Sequence, residues 1–209
     1  AVADAGGEDV QDVQVTIEPV APGRPHYRAR ASLCASDGAG RADAGAYGVP
    51  APLADAPPFP LAIEDAYREL LFHGPLFQGV EAIDAFDERG ASALLRPSQP
   101  GRCVTGAEAM RWLLDPVLID CALQVQVLWA RLRWDVTLLP AQIGAYALWA
   151  SPPDEQPVRH ELRIREQSSQ PLCHADHWFY AADGSLLAVL RDVVGVGAQA
   201  LNRLAGAPR

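Results

Sequence analysis

Residues 116–132 are a helix-length run that is apolar on almost every side: Val117, Leu118, Ile119, Ala122, Leu123, Val125, Val127, Leu128 and Trp129. A helix hydrophobic all round has no face to give to water, so it belongs inside a core. Asp115 followed by Pro116 supplies a cap and a preset first helical residue. Strands are expected after it at residues 138–150, 158–165, 172–180 and 186–196, from alternation and β-branched content. Asp183-Gly184 between the last two is a hairpin turn signal. One buried helix followed by antiparallel strands predicts an α+β fold in which a sheet wraps the helix.

Upstream, residues 10–20 alternate apolar and polar positions. A turn at 21–25 and a second alternating run at 26–33 make a hairpin with them. Residues 35–60 are rich in Ala, Gly, Asp and Pro, as a linker or long surface loop would be. A short helix is expected at 61–71, with Glu64 and Asp65 early, where the helix dipole favours acids. The run Phe72-His73-Gly74-Pro75-Leu76-Phe77-Gln78-Gly79 ends that helix and leads into strands near 79–86 and 91–95. The organisation read from this is 1–34 as terminal strands, 35–60 as linker, 61–199 as the main unit and 200–209 as a tail. The opening residues lack an initiator Met, which points to a cut inside a longer polypeptide.

The net charge is -9, which speaks against nucleic acid and against an anionic membrane surface. No apolar stretch is long enough to span a bilayer, and the four cysteines form no CxxC pair, so a reduced cytoplasmic setting fits. The basic residues are all Arg. GxSxG, HExxH, P-loop and GxGxxG motifs are absent, which leaves hydrolase, zincin and nucleotide readings without support.

Asp120 is the first candidate for chemistry. It lies one turn into the core helix, where an ionised carboxylate must be paired or protonated. Gln124, four residues on, shares its face. An apolar setting raises a carboxyl pKa, as a general acid near neutral pH requires. An Asp facing solvent near the helix start would show the same spacing. His73 is the second candidate, held by the Gly74-Pro75 turn; a turn histidine without a role would read the same way. His174 and His177 have metal-like spacing, but residues three apart on a strand point to opposite faces, so no metal site is expected. His26 and His160 read as structural.

Together these segments resemble polyketide synthase dehydratase domains. Phe72 to Gln78 is similar to the (Y/H)GPxFQ signature, in the HGP form of iterative, polyunsaturated-fatty-acid and enediyne-type synthases. Leu114 to Gln124 resembles HPxLLDAALQ, and Leu139-Pro140-Ala141-Gln142-Ile143 resembles the strand that follows. The resemblance implies a double hot dog, with this chain carrying mainly the second hot dog and the tail strands of the first. It implies removal of water from a β-hydroxyacyl chain on the phosphopantetheine of an acyl carrier protein, with no other cofactor. On that mapping Asp120 is the acid and Gln124 its support, while His73, Gly74, Pro75, Phe77 and Gln78 shape the substrate pocket.

The family's base lies in an HxxxGxxxxP motif, and no His here has that pattern, so the resemblance implies a base from outside the chain. Asp115 stands where His usually precedes the Pro, and His73 where Tyr is more common. A catalytically inactive pseudo-dehydratase acting as a structural or carrier-docking module, or a hot dog thioesterase, would share much of this pattern. Partners implied are the acyl carrier protein, other synthase domains and a possible homodimer.

Overall fold

The computed structural model describes residues 10–19, 27–35, 44–112, 114–152 and 156–205. Strands β1 (Val10–Pro19) and β2 (Tyr27–Ala35) pair antiparallel as a two-stranded sheet, Val13 opposite Leu33 and Ile17 opposite Ala29. The expected hairpin is therefore present; its turn and His26 lie outside the described residues.

Helix α1 (Ile63–Glu69) is followed by a 3-10 turn at Pro75–Phe77, then β3 (Val80–Asp87) and β4 (Gly90–Leu95). A short helix α2 (Pro100–Cys103), not expected from the sequence, precedes α3 (Pro116–Trp134). Four strands complete the order: β5 (Thr137–Leu148), β6 (Val158–Ile164), β7 (Leu172–Tyr180) and β8 (Leu186–Ala198). They form one antiparallel six-stranded sheet in the order β3-β4-β6-β7-β8-β5. The β7–β8 turn places Gly184 at φ 83, a left-handed conformation that glycine adopts without strain.

Helix α3 lies against this sheet, touching β3 to β7. Cys121, Ala122, Val125 and Ala130 are wholly excluded from water, and Leu128 and Trp129 nearly so. The result is the helix-in-sheet arrangement of a hot dog. The helix starts where Asp115 accepts from the Val117 and Leu118 N–H groups at 2.9 and 3.1 Å. It runs two residues past the expected end and stops at Asp135, which adopts φ 52. Asp tolerates that conformation, and Asn202 holds it by donating to the Asp135 carbonyl at 2.9 Å. A glycine stop signal is therefore unnecessary.

The described part of the 35–60 loop is anchored on the sheet. Trp178 Nε1 donates to the Gly48 carbonyl at 3.1 Å, and Arg163 donates to the Ala51 carbonyl at 2.7 Å. Leu53 and Phe59 are buried. The sequence read β6 as a polar strand with a structural His160; the structure divides it by parity. Arg159, Glu161 and Arg163 pair with one another on one face, while Val158, His160 and Leu162 are wholly buried on the other. Among the described residues no helix is long and apolar enough to cross a membrane.

Candidate active site

The first turns of α3 meet the loop between α1 and β3, and the chemistry-bearing residues collect there. The Asp120 side chain is 32 % exposed. It is thus open to a substrate, unlike Gln124 below it, which is 1 % exposed. Gln124 Nε2 donates to Asp120 Oδ2 at 2.7 Å and to the Phe77 carbonyl at 2.8 Å. His73 Nε2 stands 3.5 Å from the same carboxylate oxygen, its ring stacked on Phe72 with centroids 4.4 Å apart.

The turn of the loop follows from its sequence. Pro75 takes the first position of the 3-10 turn, and Phe77 N–H bonds back to the Gly74 carbonyl at 2.9 Å. Gln78 closes the loop by donating to the His73 carbonyl at 2.9 Å. Arg96 donates to the Gln78 carbonyl at 2.9 Å, tying the loop to β4's end. Of the expected residues, the structure brings Asp120, Gln124, His73 and the Phe77 carbonyl together. Gly74 and Pro75 are exposed and set the turn, and Gln78 is turned into the loop rather than toward Asp120.

Tyr67 belongs to this cluster and was not singled out by the sequence. Its hydroxyl donates to Gln124 Oε1 at 2.9 Å and accepts from the Val80 N–H at 2.9 Å. Its place on a half-buried helix reads only as core; a buried phenol needing a hydrogen-bond partner was the available signal. Burial drives the Tyr67 phenol well above its ordinary range, so it keeps its proton. Cys121, next to Asp120, is also driven up by burial, to about 12, and is an inert thiol. Gly79 lets it sit close: a Cβ there would meet Cys121 Sγ at 2.8 Å and the Arg96 carbonyl oxygen at 3.0 Å.

An apolar cleft opens on the other side of α3's first turns, lined by Leu114, Leu118, Ile119, Tyr146, Phe179 and Leu187 among others. Asp120 does not line it; its neighbour Ile119 does. His174 and His177 point to opposite faces, as strand geometry requires. His174 Nδ1 lies 3.1 Å from Asp192, while His177 is buried against His160, Nδ1 to Nε2, at 3.0 Å. Gln126 completes that buried group, its Oε1 3.3 Å from His177 Nε2 and its amide donating to the Cys173 carbonyl at 3.1 Å. Parity along β7 (Cys173, Ala175, His177, Phe179) is the sequence signal that would have placed His177 inside.

Comparison with known proteins bears on the family and the fold. A family model described as polyketide synthase dehydratase N-terminal domain matches residues 48–204. No curated protein matches the sequence. Solved dehydratase structures match the fold. The dehydratase domain of PpsC from Mycobacterium tuberculosis, in complex with C12:1-CoA, is 23% identical with TM-score 0.51, over 66% of this chain and 52% of that one. The dehydratase domain of RzxB from Pseudomonas fluorescens is 19% identical with TM-score 0.53, over 81% and 57%. The bifunctional dehydratase-cyclase domain of ambruticin biosynthesis is 22% identical with TM-score 0.57, over 88% and 63%. Against PpsC, the chain spans about half the length of the domain it matches.

Proposed function

Since the chain belongs to the polyketide synthase dehydratase family, we propose that it supplies the acid half of a dehydratase site acting on a β-hydroxyacyl thioester. The observation that carries this reading is Asp120: a partly exposed carboxyl on a core helix, fixed by the buried Gln124 amide at 2.7 Å. Such a group can hold a proton in a set direction, which is what general acid catalysis requires.

In the reaction, a base removes the α-proton, and the C–H electrons form the α,β double bond. The C–O bond at the β-carbon breaks, and the hydroxyl leaves as water with the proton from Asp120. The products are an α,β-unsaturated thioester and water. The base is a histidine from outside this chain, because none of the five here lies in an HxxxGxxxxP pattern. His73 is a neighbour of Asp120 rather than this base; Gly74 and Pro75 set the turn that holds it and the Phe77 carbonyl beside the acid, and Gln78 closes that turn from within.

On this reading residues 61–199 are the second of two hot dogs, and β1 and β2 are the tail of the first. The substrate arrives on the phosphopantetheine arm of an acyl carrier protein, in a cytoplasmic synthase. Strand β5 is consistent with a companion hot dog: it ends the sheet, carries no charged residue, and exposes Leu139, Ile143 and Tyr146. An uncharged exposed edge is a surface that proteins ordinarily cover.

The test is mass spectrometry of a 3-hydroxyacyl pantetheine thioester incubated with this chain and with a polypeptide extended upstream. Loss of water with the extended form, abolished by Asp120→Asn, is the expected result. No loss in either form overturns the reading in favour of a carrier-docking module without activity. A free acid would indicate a thioesterase.

A further inference from the structure

The hydrogen bonds beneath Asp120 run in one direction only. Tyr67 accepts from the Val80 N–H, and its single proton goes to Gln124 Oε1. Burial keeps that phenol protonated, so it remains a donor throughout the working pH range. Gln124 is 1 % exposed, and water cannot complete its bonds. With Oε1 taken by Tyr67, Nε2 must face the Phe77 carbonyl and Asp120 Oδ2. The opposite amide orientation would set Oε1 against a carbonyl oxygen, with no donor to satisfy it.

An Asp120 oxygen that always faces an N–H donor is a poor place for the carboxyl proton. The other oxygen, Oδ1, has no hydrogen-bond partner among the described residues. We infer that Tyr67 is a positioning residue, holding Gln124 as a permanent donor to Oδ2 and so confining the acid's proton to Oδ1. This rests on the proposed role of Asp120 as an acid. It adds that the proton is delivered from one defined oxygen, chosen by a phenol that touches neither substrate nor Asp120.

The test joins spectroscopy on this chain to kinetics on the polypeptide extended upstream, which carries the base. In ¹⁵N-labelled protein, the Gln124 side-chain amide protons, identified by their loss in Gln124→Met, are expected to exchange slowly. Tyr67→Phe should speed that exchange by about tenfold or more. A slowly exchanging Tyr67 hydroxyl proton in the wild-type chain needs no variant to observe, and its absence overturns the inference. In the turnover assay, Tyr67→Phe should lower kcat about tenfold with KM unchanged. It should also move the alkaline limb of the kcat profile to higher pH, because an amide held only by the Phe77 carbonyl donates less steadily to Oδ2, and a weaker donor stabilises the carboxylate less.

Tyr67→Phe should add nothing in a Gln124→Met background. Unchanged amide exchange in Tyr67→Phe, or a kcat loss that persists in full with Gln124→Met, overturns the inference. An extended wild-type polypeptide without turnover overturns the dehydratase reading alone, and amide exchange then decides the role of Tyr67.

Discussion

The His73 imidazole stands 3.5 Å from the Asp120 carboxylate, adjacent to it but too far for a firm hydrogen bond. Gln124, at 2.7 Å, is the group that holds Asp120 in place. The two neighbours should therefore differ sharply in how much turnover depends on them.

Asp120→Asn should lower water loss by more than about hundredfold, since the amide has no proton to give at the required acidity. Its melting temperature should stay close to wild type, because the new amide oxygen can accept from Gln124. His73→Phe, which keeps the stack on Phe72, should cost only about two- to tenfold. Mass spectrometric turnover of a 3-hydroxyacyl pantetheine thioester in the extended polypeptide measures both. Equal losses in the two variants would make His73 a proton carrier in its own right.

Gly79→Ala places a methyl 2.8 Å from Cys121 Sγ and 3.0 Å from the Arg96 carbonyl oxygen. Overpacking of this kind costs about 1–3 kcal/mol. The double variant with Cys121→Ala should recover part of the loss, and urea denaturation of the three proteins reports it. No recovery would place the strain on the Arg96 backbone instead.

Asp115 accepts four bonds: from Val117 N–H and Leu118 N–H at the helix start, and from Ser98 N–H at 2.6 Å and Ser98 Oγ at 2.7 Å. Asp115→Ala removes the cap and leaves buried donors unpaired, for a loss of about 2–4 kcal/mol. Asp115→Asn retains one acceptor oxygen and should lose about half as much. Chemical denaturation distinguishes them, and equal stabilities would show that the retained acceptor oxygen contributes nothing.

His160 and His177 are neutral in the folded protein. Burial lowers both, His177 to about 3 from an ordinary 6.5. Between those values the unfolded chain binds more protons than the folded one. The stability present above pH 6.5 therefore falls as pH drops, by up to about 1.4 kcal/mol per pH unit for each histidine. Denaturation at intervals from pH 7 to 5 should show this slope, and His177→Gln should reduce it. A flat profile would mean that the pair protonates without unfolding.

The elements carried by periodicity were legible in the sequence. The core helix, the paired β7 and β8 and the Asp183-Gly184 turn lie where apolar spacing and turn chemistry put them. Asp120 and Gln124 were also legible, because four residues on a helix is one face. The rest depended on information that spacing does not hold. The Phe77 carbonyl is a backbone atom and has no residue signature. Tyr67 acts through the direction of its hydroxyl bond, and at its helix position any large apolar side chain would pattern alike. His160 was obscured by its polar neighbours Arg159 and Glu161, which occupy the other face of the same strand. The sheet order was not readable, because alternation identifies strands without naming their neighbours.

That order has a consequence for how the molecule is made. Strand β5 pairs only with β8, which is the last strand of the sheet in sequence. During synthesis β5 emerges with the helix it must flank, yet it has no partner until the whole of β6, β7 and β8 has followed. Such long-range closure is slow and leaves an uncharged strand open in the meantime. Loss of β8 would therefore release two strands, not one. The wall of α3 beside Leu118 and Ile119 is thus finished only when the last strand arrives, so a chain stopped early would carry Asp120 but lack the cleft on the helix's other side.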